Sequence, residues 1–226
     1  MAATSSTTLI RAEALVATPW KNGGGVTREI AAGGPDGRPA AAAAASAAAT
    51  TFDAFSWRVS VADVAQPGPF SRFDGVDRTL VLLSGAGMTL VEEGGARHVL
   101  ARPLDRLAFA GEMALRAELH DGPTRDFNLM VRRELARGDV AIWCGGARER
   151  LDADTVLLFC VAGELAVALD GGAESYTLYP FDTLRIDAPA ADASCAVRGE
   201  GTLLAVRVTR VNPTATARPH ETDSLA

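Results

Sequence analysis

The chain has 226 residues, 48% of them hydrophobic and 22% charged, with a formal net charge of -6. This is the composition of a globular protein able to bury a sizeable core, and it lacks the clustered Lys and Arg by which nucleic-acid binders displace counterions. No run approaches the ~20 apolar residues of a membrane-spanning helix and no signal-like segment opens the chain, so a cytoplasmic location is expected.

Residues 1–8 are small and polar, and residues 212–226 are rich in Pro, Thr and Ala; both ends are expected to be mobile tails. Between residues 18 and 30 the chain runs Thr-Pro-Trp-Lys-Asn-Gly-Gly-Gly-Val-Thr-Arg-Glu-Ile, which holds the one lysine, Lys21, against 21 arginines in the chain as a whole. Gly23, Gly24 and Gly25 offer backbone freedom or close approach to the main chain. Thr27 to Ile30 then reads as a short strand. Two readings stand for this segment: a glycine-rich bend into the first strand, or half of a binding site. Residues 33–51 follow as a Gly/Pro turn and an alanine run without a charged face, expected to be a surface insertion with at most a marginal helix.

From Phe52 onward, short segments of period two or continuous apolar character alternate with Gly, Pro and Asp. Strands are expected around Trp57–Val61, Thr79–Leu83, Gly87–Val91, Leu115–Leu119, Phe127–Val131, Val140–Trp143, Thr155–Phe159 and Glu164–Leu169. A short helix has room only between Arg137 and Asp154. An internal repeat sharpens the architecture: the glycine turn after Thr79–Leu83 is echoed after Thr155–Phe159, with Gly87 against Gly163, and Pro103-Leu-Asp-Arg-Leu107 is echoed by Pro180-Phe-Asp-Thr-Leu184. Strand, glycine turn, strand and Pro-containing turn, twice in order, predict an all-β bicupin: two cupin-type β-barrels or jelly rolls from an internal repeat, the first over 9–135 and the second over 136–211.

Cupin metal sites use a His-x-His pair with a later Glu and His, and neither copy carries it. The histidines are His98, His120 and His220; a remote assembly of His98, His120 and Glu112 is the one metal option the spacing leaves, and no metal or cofactor is expected. Cys144, Cys160 and Cys195 have no CxxC or CxH spacing and read as buried small hydrophobes in a reducing compartment. No G-x-S-x-G elbow and no phosphate-binding glycine loop occurs.

What remains is a set of polar residues on apolar strands. Arg58 and Ser60 alternate with Trp57, Val59 and Val61 and so share a face. Arg78 lies among two arginines and two aspartates around the Asp74-Gly75 turn, and Asn128 interrupts a strand that is otherwise apolar. For Arg58, Arg78 and Asp126 an exposed face or structural ion pair stands beside a site role, and for Asn128 internal hydrogen bonding stands beside a ligand contact. Lys21, Asn22, Arg58 and Asn128 together would offer cationic and amide donors suited to a small carboxylate with a polar or heterocyclic tail.

The blocks Trp20–Ile30, Trp57–Asp63, Gly68–Thr79 and Asp121–Met130 resemble, in order, the signature blocks of the HutD/Ves family, over about residues 9–211. The resemblance implies a bicupin that accompanies histidine-utilisation enzymes and modulates that pathway, by binding an intermediate such as urocanate or formylglutamate, with no established catalytic reaction. It carries over Lys21, Asn22 and Arg28 from the first block, Arg58 and Ser60 from the second, Arg78 from the third and Asn128 from the fourth as ligand-binding residues. A small carboxylate is thus the expected partner, with no nucleic acid and no membrane, and with room for a homodimer. Two other classes stay open: a metal-free isomerase or hydrolase using Lys21 or Glu29 as acid/base, and a pure interaction protein.

Overall fold

A computed structural model describes residues 5–35, 55–169 and 175–211. The strands are β1 (Ser6–Ile10), β2 (Ala17–Pro19), β3 (Gly25–Gly33), β4 (Trp57–Val64), β5 (Gly68–Pro69), β6 (Val76–Ser84), β7 (Met88–Glu92), β8 (Arg97–Leu100) and β9 (Arg106–Ala110). They continue with β10 (Leu115–Leu119), β11 (Thr124–Arg132), β12 (Ala136–Cys144), β13 (Arg148–Arg150), β14 (Thr155–Leu169), β15 (Ser175–Leu178), β16 (Thr183–Asp187) and β17 (Ser194–Arg210). Among the described residues one 3-10 turn, Ala12–Ala14, is the single helical element. All strand pairs are antiparallel and make three sheets: six strands in the order β2-β3-β4-β11-β6-β9, four in the order β5-β10-β7-β8, and seven along β1-β16-β14-β17-β12 with β13 and β15 beside β17 and β14. The fold is all-β as expected, and each sheet path is open at its ends.

Alternation along the strands builds three cores. Leu80, Leu82 and Val64 of the six-stranded sheet pack on Met88, Leu90, Leu115 and Ala117 of the four-stranded sheet. The opposite face of the six-stranded sheet, with Val59, Val61, Val81, Phe127 and Leu129, packs on Leu157, Phe159, Leu204 and Val206 of the seven-stranded sheet. In the later half, β14 and β17 are 15 and 17 residues long and carry both layers themselves. The sheet turns back on itself, so Val156, Leu158 and Cys160 share a core with Leu165, Val167 and Val197.

The internal repeat is visible in the hydrogen bonds. Leu104 N–H donates to the Leu82 carbonyl and Leu82 N–H to the Asp105 carbonyl; Phe181 N–H donates to the Cys160 carbonyl and Cys160 N–H to the Asp182 carbonyl. Leu104 and Phe181 both take the left-handed region, at φ 74° and 72°, which a branched or bulky residue enters only where its surroundings hold it. The register differs from the sequence alignment by two residues on the strand. Cys160, not Leu158, answers Leu82, so Gly163 answers Gly85 rather than Gly87. The ladders agree, since β6 bulges at Leu83 against β11 and β14 bulges at Val161 against β17.

Three expectations are corrected. Ser6, Thr7 and Thr8 are not part of a mobile tail: they open β1, which pairs with β16 from Ser6 opposite Asp187 to Ile10 opposite Thr183. Their partner strand lies far along the chain, so tail composition gave no sign of it. The stretch from Arg137 to Asp154 holds no helix but β12 and β13, because β12 pairs along its whole length with β17 and that ladder overrides local propensity. Cys144 is exposed at the end of β12, whereas Cys160 and Cys195 are buried; burial also pushes the Cys160 thiol up to about 11. The Ala-rich stretch from residue 36 on and the tail from 212 on lie outside the described residues.

Asp182 ties the N-terminal segment to the repeat turn. Its carboxylate accepts from Arg11 Nη1 at 2.7 Å, from Ala12 N–H at 2.9 Å and from Tyr179 N–H at 3.1 Å. These bonds together hold the carboxyl below the usual range although burial opposes them. Asp182→Ala is expected to cost about 2–3 kcal/mol, since it leaves N–H groups unanswered, and to make residues 5–19 more open to proteolysis. A variant with unchanged melting temperature and cleavage pattern would contradict this anchoring role.

Candidate functional site: the inward face of the six-stranded sheet

Period two places the residues of the site. On β4 and β11 the odd positions Trp57, Val59, Val61 and Phe127, Leu129, Val131 enter the core shared with the seven-stranded sheet. The positions between them therefore face the four-stranded sheet. Cross-strand pairing aligns them: Glu29 of β3 lies opposite Ser60, Ser60 opposite Asn128, and Asn128 opposite Leu80 of β6; one step along, Arg58 lies opposite Met130 and Met130 opposite Arg78. One step the other way come Thr27, Ala62, Asp126 and Leu82. Seven polar side chains, Thr27, Glu29, Arg58, Ser60, Arg78, Asp126 and Asn128, thus share one inward face.

The cluster deepens across the sheet. At its β3 side, Arg58 Nε donates to Glu29 at 2.7 Å, with Glu29 33% and Arg58 17% exposed, so this end meets solvent. At its far side Arg78 is buried with its guanidinium 5.0 to 5.4 Å from the rings of Phe70, Phe73 and Phe109, and Nη1 donates to the Ser71 carbonyl. Ring faces stabilise such a cation, yet burial still brings it down to about 10, so it stays charged at neutral pH. Asp126 is 2% exposed, and desolvation raises its carboxyl to about 7 against the pull of Arg78. Arg78 Nε, Asp126 Oδ2 and Asn128 Oδ1 are buried and make no hydrogen bond within the protein. Native structures leave few such groups, and those they leave mark a ligand, a water or stored strain.

Four of the seven residues expected from the sequence, Arg58, Ser60, Arg78 and Asn128, meet here. Three do not. Lys21 and Asn22 are exposed in the turn between β2 and β3, where Asn22 Oδ1 accepts from Gly24 N–H. Arg28 points to the other face of β3 and pairs with Asp63 at 2.7 Å, because it follows Thr27 and precedes Glu29 on the strand. The glycine run itself forms the hairpin: Trp20 N–H donates to the Gly25 carbonyl, and a Cβ on Gly25 would stand 2.3 Å from the Asp63 carbonyl and 3.1 Å from the Trp20 ring. Trp20 also donates through Nε1 to Thr27 Oγ1 at 2.8 Å, so the segment packs an indole beside the inward face. Asp126 and Arg78 are buried rather than on an exposed face. Asp126 was legible in Thr124–Arg132, where Asp126, Asn128 and Met130 alternate with Phe127, Leu129 and Val131.

The assembly of His98, His120 and Glu112 does not form. His98 pairs with Glu92 at 2.6 Å, His120 Nε2 lies 2.9 Å from Thr89 Oγ1, and Glu112 is held by Arg133 at 2.6 Å, which pulls its carboxyl down to about 2. Each histidine and the glutamate belongs to a different local contact. No helix among the described residues is long and apolar enough to cross a membrane.

Compared with known proteins, residues 12–205 match the HutD family. A Pseudomonas putida protein described as an uncharacterized 21.2 kDa protein in the hutC 3' region is 35% identical over 179 residues, 79% of this chain and 86% of that one. Protein Ves of Cronobacter sakazakii is 40% identical over 124 residues, 54% of this chain and 59% of the relative. The solved structure of HutD from Pseudomonas fluorescens SBW25 superposes with a TM-score of 0.74 at 33% identity, covering 92% of this chain and 100% of that one. The fold these neighbours share is all-β and cupin-like. With a match that spans nearly every described strand, and a relative and a solved structure above 30% identity, the chain belongs to the HutD family.

Proposed function

We propose that the protein binds a small carboxylate of histidine breakdown, of the urocanate or formylglutamate type, on the inward face of the six-stranded sheet, and modulates histidine utilisation through that binding. The observation that carries this is the buried set Arg78, Asp126 and Asn128, each with one polar atom, Nε, Oδ2 and Oδ1 respectively, unanswered by the protein on a face they share with Arg58 and Ser60. The relatives, one described by its place in the hutC region and one being HutD of Pseudomonas fluorescens, support the pathway. In this proposal the two copies of the repeat are two cupin-type units, and only the first takes ligand. The corresponding interior of the second is apolar, with Val156, Leu158, Cys160, Leu165 and Val167.

The enzymatic alternative assigns acid/base work to Lys21 or Glu29. Lys21 is exposed in the β2–β3 turn and Glu29 is held by Arg58, so binding is favoured over turnover. A calorimetric and thermal-shift screen with urocanate, formiminoglutamate, formylglutamate and histidine tests the reading, and no response to any of them would count against it. Where a carboxylate binds, Arg78→Met is expected to weaken it by about 10- to 100-fold, as for the loss of a charged hydrogen bond. Lys21→Ala is expected to change it by less than about 3-fold, as for an exposed charge at a distance. Equal loss in both variants would move the site to the turn.

A further inference from the structure

The unanswered atoms of the inward face are not alike. Arg78 Nε carries a hydrogen and donates, while Asn128 Oδ1 accepts and Asp126 Oδ2 accepts whenever it is ionised. A ligand that is only a carboxylate would answer Arg78, leave both acceptors bare, and bring its own charge towards a second carboxyl. Asp126 and Asn128 are successive inward positions of β11, so their side chains leave the sheet about 7 Å apart along the strand. Asp126 is flanked by Ala62 and Leu82, neither of which has a side-chain donor, and its Oδ2 makes no hydrogen bond within the protein. Two charged groups act on it, Arg78 from β6 and Asp63 on the opposite face of β4, while Glu29 and Arg58 on the same inward face pair with each other.

Resting on the carboxylate-binding reading above, we infer that Asp126 determines ligand specificity: the ligand is a carboxylic acid that also carries an N–H donor, an amide or an imidazole, with its carboxylate towards Arg78 and its N–H given to the Asp126 carboxylate. Asn128 Oδ1, one step along the same strand, is a second acceptor for such a donor. The arrangement reads a pair of groups rather than a charge, and a donor that must be present is the stricter demand. A site built to hydrogen-bond a polar group rejects an analogue lacking it far more strongly than an apolar pocket rejects a changed alkyl group. Because the N–H is accepted by the ionised carboxyl, binding releases the proton that burial otherwise keeps on Asp126, and affinity rises with pH across its titration.

The test is calorimetry on the full chain with two matched pairs of probes: formylglutamate against its N-methyl analogue, and urocanate against N-methylurocanate. Wild-type protein is expected to prefer the N–H member of a pair by about 10- to 100-fold, the range of one buried hydrogen bond to a charged group. Its affinity is expected to rise between about pH 6 and pH 8. Asp126→Leu is expected to bring the two members within about 3-fold of each other. Should that variant not fold, Asp126→Asn keeps an acceptor without a titrating proton, so the preference is expected to persist and the pH slope to flatten. Equal binding of both members by wild type, equal loss of both in Asp126→Leu, or affinity that falls as pH rises overturns the inference and leaves carboxylate binding intact. Failure of all four probes to bind overturns the carboxylate reading and this inference with it.

Discussion

Phe159→Ala is expected to lower the stability of the whole chain by about 3–5 kcal/mol, the range for deleting a fully buried aromatic ring. The ring is 0% exposed, with Phe127 at 5.1 Å between centroids and Phe181 at 5.6 Å in an edge-on contact. Phe127 belongs to the six-stranded sheet and Phe159 to the seven-stranded one, so the lost contacts join the two repeat copies. Ile30, Val59 and Val81 from one side and Leu157, Leu204 and Val206 from the other close the same core. A core of this kind couples the halves as a domain interior does, rather than as a wet surface between independent units. Scanning calorimetry should therefore show one transition in both proteins, lowered by roughly 10 °C in the variant. Two separated transitions of which only one moves would show that the copies unfold on their own and would sink the idea.

Asp126→Asn is expected to stabilise the protein in a pH-dependent way. Burial raises the Asp126 carboxyl from 3.8 to about 7, a value that already includes the favourable pull of Arg78. Below about pH 4 the folded and unfolded chains both hold the proton and the carboxyl adds no charge penalty. As the pH rises from about 4 to about 7 the unfolded chain gives up its proton while the folded chain keeps it, so stability falls. Above about pH 7 both are ionised and the deficit is constant, near 4 kcal/mol at about 1.4 kcal/mol per unit. Asp63 and Asp182 act in the opposite sense, but their carboxyls are held below the ordinary value, so their contribution changes in more acid solution, outside this window. The asparagine variant should thus match wild type near pH 4 and exceed it in denaturant midpoint near pH 8. A difference that stays the same at every pH would mean that the Asp126 carboxyl keeps its ordinary affinity for protons.

That carboxyl also shows where sequence patterning reaches its limit. The alternation in Thr124–Arg132 places Asp126 and Asn128 on one face, and that in Trp57–Val61 places Arg58 and Ser60 on one face, because side chains on a strand alternate with a fixed period of two. Nothing in either stretch says that these faces are the same face, or that it looks inward. The pairing of Asn128 with both Ser60 and Leu80 decides that, and it joins strands from widely separated parts of the chain. The same argument separates Glu29 from Arg28: one residue of register sends Glu29 to Arg58 inside and Arg28 to Asp63 on the far side.

The all-β class, most strand positions, the duplicated Pro-x-Asp turns and the family were determined by the sequence itself, because periodicity and turn chemistry are local properties. Only the tertiary structure decided that Ser6–Ile10 joins the far sheet, that 137–154 makes strands, and that Gly163 answers Gly85, since each depends on a distant ladder outweighing local preference. It likewise brought Arg58, Ser60, Arg78, Asp126 and Asn128 onto one inward face, the candidate site, and left Lys21 exposed in the glycine turn. The desolvation that makes Arg78, Asp126 and Asn128 unusual exists only once the two sheets have closed over them.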